Sequence, residues 1–419
     1  MRQPAHAEIE AVAREQRAAV LAAVARTTRD LAVAEDAVQE ALLAALRQWP
    51  RDGIPEVPAA WLTVVAKRAA LSALRARSRY LLDDGAIAEL VAAGDAQPGG
   101  PGGEPASAIP DERLELLFAC CHPALALDAQ VALTLRTVAG LTTAEIARAF
   151  LLAEPTLAQR LVRAQRKVRD SGIPFALPDA ERMPERLGGV LHVVYLVFTE
   201  GHAATSGAER MRVDLCDEAI RLARLVATLL PDEPEALGLA ALCLAHDARR
   251  AARVDPAGRT VPLDEQDRAL YDRARIAEAE RLLDRAALQR APGPYQLQAA
   301  IALQHALAPT AAATDWQAIA ELYAALARMA PSPVVELNRA AAVGMADGPE
   351  AGLALLEPLG ADGAPLADHH LLHAAWAELL RRAGRGFEAA AAYHRALELA
   401  PAEGTARADL TRRLAELDR

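Results

Sequence analysis

Residues 155–169 carry Arg160, Arg163, Arg166, Lys167 and Arg169 and no acidic side chain, with Thr156 and Gln159 at the start of the same stretch. Arginine and amide groups placed early on a helix can hydrogen-bond base edges, while the later cations suit phosphate oxygens. The chemistry is recognition of a polyanion, and double-stranded DNA is the polyanion whose groove admits a helix. Leu157, Leu161 and Val168 recur on the opposite side and make a buried stripe. The preceding segment reads as a shorter helix. Thr142 caps it, Glu145 three residues on can reach back, and Ile146 and Phe150 share one face. A turn over 151–153 and a proline, Pro155, in the first turn of the next helix complete a helix-turn-helix. An ordinary amphipathic hairpin with a solvated basic face has the same pattern.

Two further constellations lie near the N-terminus. Asp36, Gln39, Glu40 and Leu43 share one side of a helix at three- and four-residue spacing. Carboxylates beside an amide and an apolar anchor suit a basic, helical protein partner, although a solvated helix face has the same composition. Residues 61–80 hold Lys67, Arg68, Arg75, Arg77 and Arg79 and no acidic residue, which suits a nucleic-acid backbone. Arg51 opens the Pro/Gly-containing loop before them, and the helical pattern is expected to break there, over 49–58. Trp61 can stack on a base or anchor the core beside Leu62 and Val65.

Groups able to do covalent chemistry are sparse. His192, Glu200, His202 and His246 could form an acid/base or metal cluster, but scattered polar residues on amphipathic helices more often anchor packing. Four cysteines, Cys120, Cys121, Cys216 and Cys243, form no Cys-x-x-Cys pair. Cys120-Cys121-His122 are consecutive, so on a helix they point in different directions and buried packing is the expectation. No catalytic residue, metal site or cofactor is expected.

The elements that must position these groups are helical throughout, and the fold class expected is all-α. The chain has 419 residues, 53% of them hydrophobic, enough for two or three domains with cores of their own. Its formal charge of −10 is unevenly spread. Residues 1–82 hold 12 basic and 9 acidic side chains and residues 128–172 hold 7 and 4, each a net +3. Residues 83–127 sum to −7 and 173–419 to −9, so two basic modules are joined to an acidic half. The N-terminus has no apolar run fit for a signal peptide. The longest apolar stretch, 187–198, contains His192 and is too short to span a bilayer, so a cytoplasmic protein without a membrane partner is expected.

Four parts follow from composition: 1–82, helical; 83–110, a linker with the Pro/Gly run 94–105; 111–172, holding the helix-turn-helix; and 173–419, helical. The last part carries a repeat signal, clearest over 316–401. Tyr323 precedes Pro331 by eight residues and Tyr393 precedes Pro401 by eight, the two units lying 70 residues apart. That separation is close to twice the ~34-residue tetratricopeptide period. In 370–401, Ala377, Ala389, Tyr393, Ala396 and Pro401 occupy the small, aromatic and terminating positions of two antiparallel helices, although a generic helical bundle also accommodates them. Such arrays usually bind proteins or peptides.

The run Asp30-Leu-Ala-Val-Ala-Glu-Asp-Ala-Val-Gln-Glu-Ala-Leu-Leu, followed by Trp61-Leu-Thr-Val-Val-Ala-Lys-Arg, resembles region 2 of bacterial sigma factors, and the helix-turn-helix resembles region 4. Together they resemble an extracytoplasmic-function (group IV) sigma factor of the sigma-70 family. The remainder is similar to the tetratricopeptide-like extension of one subgroup, through Cys120-Cys-His-Pro-Ala-Leu, Phe198-Thr-Glu-Gly-His, Leu215-Cys-Asp-Glu-Ala-Ile and Gln266-Asp-Arg. The resemblance implies that Asp36, Gln39, Glu40 and Leu43 engage the clamp helices of the polymerase β′ subunit, with the β flap as a further contact. It implies that Arg51, Trp61, Lys67, Arg68, Arg75, Arg77 and Arg79 serve the −10 element. Thr156, Gln159, Arg160, Arg163, Arg166 and Lys167 would serve the −35 element. Many relatives have Asn and Asp where this chain has Arg68 and Ser72, which bears on the −10 base preference. The extension would regulate activity, through a partner protein or by contacting regions 2 and 4. A helix-turn-helix regulator with a protein-binding repeat domain would account for 128–172 and the repeats but leaves 30–79 without a role.

Overall fold

The computed structural model describes residues 3–81, 112–150, 152–202, 213–255, 261–401 and 405–417, and all regular elements among them are helical. The expected linker, 83–110, lies outside the described residues. The chain forms two compact units, Met1–Leu229 and Leu230–Arg419.

The first unit begins with three mutually packed helices, α1 (Gln3–Thr28), α2 (Leu31–Asp52) and α3 (Pro58–Leu81). Asp30 starts α2, its Oδ1 accepting from the N–H groups of Ala32 at 2.9 Å and Val33 at 3.3 Å. The apolar stripe Leu31, Ala34, Val38, Ala41, Ala45 and Trp49 is buried, and Leu62, Ala66 and Ala70 of α3 are buried with it. The helix does not break at Trp49 as its proline content predicts: α2 continues through Pro50 to Asp52, so Arg51 sits in its last turn rather than in a loop. The missing N–H of Pro50 falls where few helical bonds remain to be made. Trp49 is buried and packs edge-on against Trp61 with ring centroids 5.4 Å apart, and the Gly53 N–H closes the helix on the Trp49 carbonyl.

Next come α4 (Glu112–Cys120) and α5 (Leu127–Leu133), which runs into a π turn over Thr134–Ala139. Gly140, with φ of +81°, ends that turn in the left-handed region where a side chain is disfavoured. Helices α6 (Thr143–Ala149) and α7 (Glu154–Asp170) form the predicted hairpin, and α8 (Met183–His202) and α9 (Val213–Leu229) close the unit. Helix α8 packs on α4, α5 and α9. Arg186 of α8 donates to the Phe118 carbonyl at 2.6 Å, and Arg221 of α9 donates to the Val138 carbonyl at 3.1 Å. The helices that open the C-terminal part of the sequence are therefore packed on the helices that precede the helix-turn-helix.

The second unit stacks α10 (Pro234–Asp247), α11 (Arg273–Leu288), α12 (Pro294–Leu307), α13 (Trp316–Met329), α14 (Pro333–Ala346), α15 (Pro349–Leu356), α16 (His370–Arg382), α17 (Gly386–Leu399) and α18 (Thr405–Leu417). Packing runs mainly between successive helices. Tyr393 is 1% exposed, and Ala377, Ala389 and Ala396 are fully buried around it, where small side chains let α16 and α17 approach. Pro331 follows α13 and Pro401 follows α17, each in the connection after a tyrosine-bearing helix.

Candidate nucleic-acid interface

The α2 stripe Asp36, Gln39, Glu40 and Leu43 is exposed along its whole length, opposite the buried Ala34, Ala37, Val38, Ala41 and Ala45. Leu43 leaves 52% of its surface in solvent. Acidic and amide groups therefore flank an apolar anchor on one accessible helix face, the composition of a small protein-docking surface.

On α3, Arg68 and Arg75 are exposed and lie seven residues apart on one face with Ser72 between them. Lys67 is half-buried. Arg77 and Arg79 continue the helix, but their side chains lie outside the described residues. Trp61 is half-buried against Trp49, so its ring anchors the α2–α3 corner beside Leu62. Arg51 is exposed at the end of α2, across the short 53–57 connection from α3.

The hairpin is built as its local sequence dictates. Thr142 Oγ1 accepts from the Glu145 N–H at 3.2 Å, and Glu145 Oε2 accepts from the Thr142 N–H at 2.7 Å. Leu157, Leu161, Ala164 and Val168 bury one face of α7, while Thr156, Gln159, Arg163, Arg166 and Lys167 are exposed on the other. Arg160 departs from that set: it reaches sideways to Asp128 at 3.1 Å, at the start of α5. Its guanidinium is committed to an ion pair within the hairpin's own support, although the pair is accessible enough to exchange for another anion.

The structure also brings together groups whose sequence positions gave no hint of contact. Gln165 Nε2 donates to Glu35 Oε2 at 3.3 Å, and Arg169 Nη1 donates to Asp30 Oδ2 at 3.4 Å, so α7 packs on α2. Arg136 lies 3.7 Å from Glu35, and Arg26 lies 3.8 Å from Glu115. Arg17 of α1 donates to the carbonyls of Arg136 and Thr137 at 3.2 and 3.4 Å, at the end of the π turn. Those carbonyls sit at the electronegative end of a helix, where a guanidinium is favoured. Burial pushes the Glu35 carboxyl above the usual carboxylate range, against the pull of Arg136 and Arg17. The one signal legible beforehand was Glu35 itself, a carboxylate within the apolar stripe of α2.

His192 is exposed on α8, while His202, one helix end away, stacks on Phe198 with centroids 5.1 Å apart. A Cβ at Gly201 would lie 2.8 Å from the Cys216 nitrogen, so the Phe198–His202 and Leu215–Ile220 segments meet at a close helix crossing. Cys120 and Cys121 are buried and bonded to Thr137 and Thr134 at 3.0 and 3.5 Å, and burial pushes the Cys121 thiol up to about 12. Among the described residues no set of three or more His, Cys, Asp and Glu side chains is placed to hold a metal ion. None of the helices among them is long and apolar enough to cross a membrane.

Residues 12–80, which cover most of α1, α2 and α3, match the model of sigma-70 region 2. The chain carries a sigma-70 region 2, which supports its place in the sigma-70 family. Asp36, Gln39, Glu40, Leu43 and the α3 cations all fall within that region 2, while the helix-turn-helix lies outside the matched residues. Residues 186–287 match a family of unknown function (DUF6596). An uncharacterized protein of Rhizobium meliloti (strain 1021) is 46% identical over 387 residues, 91% of this chain and 89% of that protein, so the two belong to one family along nearly their full length. No solved structure matches the chain. A sigma-70 region 2 gives the chain a sigma-factor-type role in transcription, through core RNA polymerase and promoter DNA. Proteins of this family are transcription factors rather than enzymes.

Proposed function

We propose that the chain is an extracytoplasmic-function sigma factor that binds core polymerase and starts transcription at promoters with −35 and −10 elements. The observation that carries this reading is the exposed Asp36, Gln39, Glu40 and Leu43 face inside the matched region 2. That face docks on the β′ clamp helices, and the β flap is a further contact. Arg51, Lys67, Arg68, Arg75, Arg77 and Arg79 hold the −10 strands, with Trp61 setting the corner between α2 and α3. Helix α7 enters the major groove near −35, where Gln159, Arg160 and Arg163 read base edges and Thr156, Arg166 and Lys167 hold phosphates. For Arg160 this means exchanging Asp128 for DNA.

The C-terminal extension, with its tetratricopeptide-like repeats over 316–401, regulates this activity. Support comes from α8 and α9, which belong to the extension in sequence and yet pack against the helices that carry the helix-turn-helix. The contact of α7 with α2 further holds the two DNA-binding modules together, and both elements of a promoter are engaged only when that contact opens.

Separate roles are tested by paired assays on the full chain. Asp36→Arg with Gln39→Ala should abolish core binding and leave binding to a −35 duplex intact. Arg163→Ala with Arg166→Ala should do the reverse. Equal loss in both assays from either pair would contradict the division.

A further inference from the structure

The second unit holds a cavity of about 470 Å³ for which transcription initiation has no use. That volume falls within the ordinary range of small-molecule sites, about 300–1,000 Å³. Leu263, Trp316 and Met345 give it apolar walls, and Arg268, His305 and Thr314 line it with polar groups.

The segment Gln266-Asp267-Arg268 builds one wall. Gln266 Nε2 donates to the Val261 carbonyl at 3.0 Å, and its Oε1 accepts from the Tyr271 hydroxyl at 3.1 Å. Asp267 Oδ1 accepts from the Ala269 N–H at 2.9 Å and turns the chain through a single 3₁₀ turn. These bonds direct Arg268 inward. It is 8% exposed, lies over the Tyr271 ring at 5.9 Å, and its Nε has no hydrogen-bond partner among the described residues. An arginine keeps its charge wherever it is placed, and a buried cation without a counter-charge is costly.

The surroundings add positive charge rather than cancel it. Arg249 is also buried, and its Nε likewise lacks a partner among the described residues. Burial, with the charges of Arg249 and Arg268, pushes the His305 imidazole down to about 4, so at neutral pH it is uncharged and offers an N–H. Its ring meets Trp316 edge-on at 5.2 Å. Two more arginines of the lining, Arg382 and Arg413, are held by Glu378 at 3.0 and 3.4 Å, so that carboxylate is already shared among cations. The other acid of the lining, Asp264, is exposed. Arg412 of α18 pairs with Glu265 at 3.0 Å and ties the last helix to the loop carrying Arg268.

We propose that this cavity binds a small organic anion, its carboxylate or phosphate on Arg268 and its apolar body against Trp316 and Met345. The anion supplies the counter-charge that the fold leaves out, and the planar guanidinium suits either oxyanion group. A ligand site in the extension gives the transcription unit a chemical input, but the proposal stands without the sigma reading.

The test uses the full-length chain and follows tryptophan fluorescence while titrating phenylacetate, phenyl phosphate, inorganic phosphate and the neutral phenylacetamide. A saturable change with an aromatic anion, at least tenfold weaker for phenylacetamide and absent in Trp316→Phe, is expected. The preferred oxyanion identifies the head group. Arg268→Gln should weaken binding at least tenfold while leaving Tm unchanged or raised, because a buried uncompensated charge has been removed. If that variant does not fold, Ala312→Trp, which fills the cavity from an exposed position, should abolish binding with unchanged helical content. The proposal is overturned if no anion gives a saturable response, if phenylacetamide binds as well as the anions, or if Arg268→Gln or Ala312→Trp binds like the parent chain.

Discussion

Leu43 offers the cleanest separation of folding from docking. It stands on α2 with 52% of its surface exposed, one turn beyond the acidic and amide groups of the candidate polymerase face. Burying a leucine completely is worth about 1.5–3 kcal/mol, so a partner that covers the exposed half gains about 0.8–1.5 kcal/mol. Leu43→Ala should therefore weaken binding to core polymerase about 4- to 12-fold, at tenfold per 1.4 kcal/mol. The same change in the free chain should alter stability by less than about 0.5 kcal/mol, because the removed methyls touch little and alanine favours a helix. Competition anisotropy against a labelled sigma factor measures the first quantity, and thermal unfolding the second. An unchanged Kd would mean that this face does not meet polymerase. A fall in Tm of more than about 5 °C would mean that Leu43 belongs to the core, and the argument from exposure would fail.

Thr142→Ala removes the reciprocal cap of α6 and should cost about 1 kcal/mol; hydrogen exchange should show faster opening over 143–149, and unchanged protection would contradict the cap's role. Arg169→Ala removes the contact with Asp30 and should cost no more than about 1 kcal/mol, since the pair is partly exposed, while raising exchange in α7. In the second unit burial opposes ionisation of Glu378, but hydrogen bonds and charges from Arg381, Arg382 and Arg413 outweigh it and hold the carboxyl below the usual carboxylate range. Its folded value lies below its unfolded one, so its contribution is present at neutral pH and is lost as the pH falls through that depressed value. Glu378→Gln should accordingly lower Tm at pH 7, and the difference should shrink as the pH falls; a difference that stays constant into acid would refute the assignment. The four cysteines are buried, so the native chain at pH 8 should resist thiol labelling and yield all four groups on unfolding.

What could be read from the sequence was what short-range physics decides. The Thr142–Glu145 cap, Pro155 at the start of α7, and the exposed stripe from Asp36 to Leu43 depend on residues within two turns of one another. Tyr393 and its alanines were legible for the same reason. Pro50 misled because local propensity was outweighed by tertiary packing, with Trp49 held against Trp61. The pairs Glu35–Gln165 and Asp30–Arg169 join positions 130 and 139 residues apart, and nothing in either local pattern names its partner. The cavity around Arg268 is assembled from loop and helices between Leu263 and Arg413, so only the packed unit reveals it.

The most direct test of the central claim is run-off transcription from the DNA upstream of the chain's own coding sequence, with purified chain and sigma-free core polymerase. A discrete transcript that depends on the chain, and that disappears with Asp36→Arg, is the result expected. Core polymerase that gives the same products with and without the chain, and that fails to retain it in a binding assay, would contradict the account.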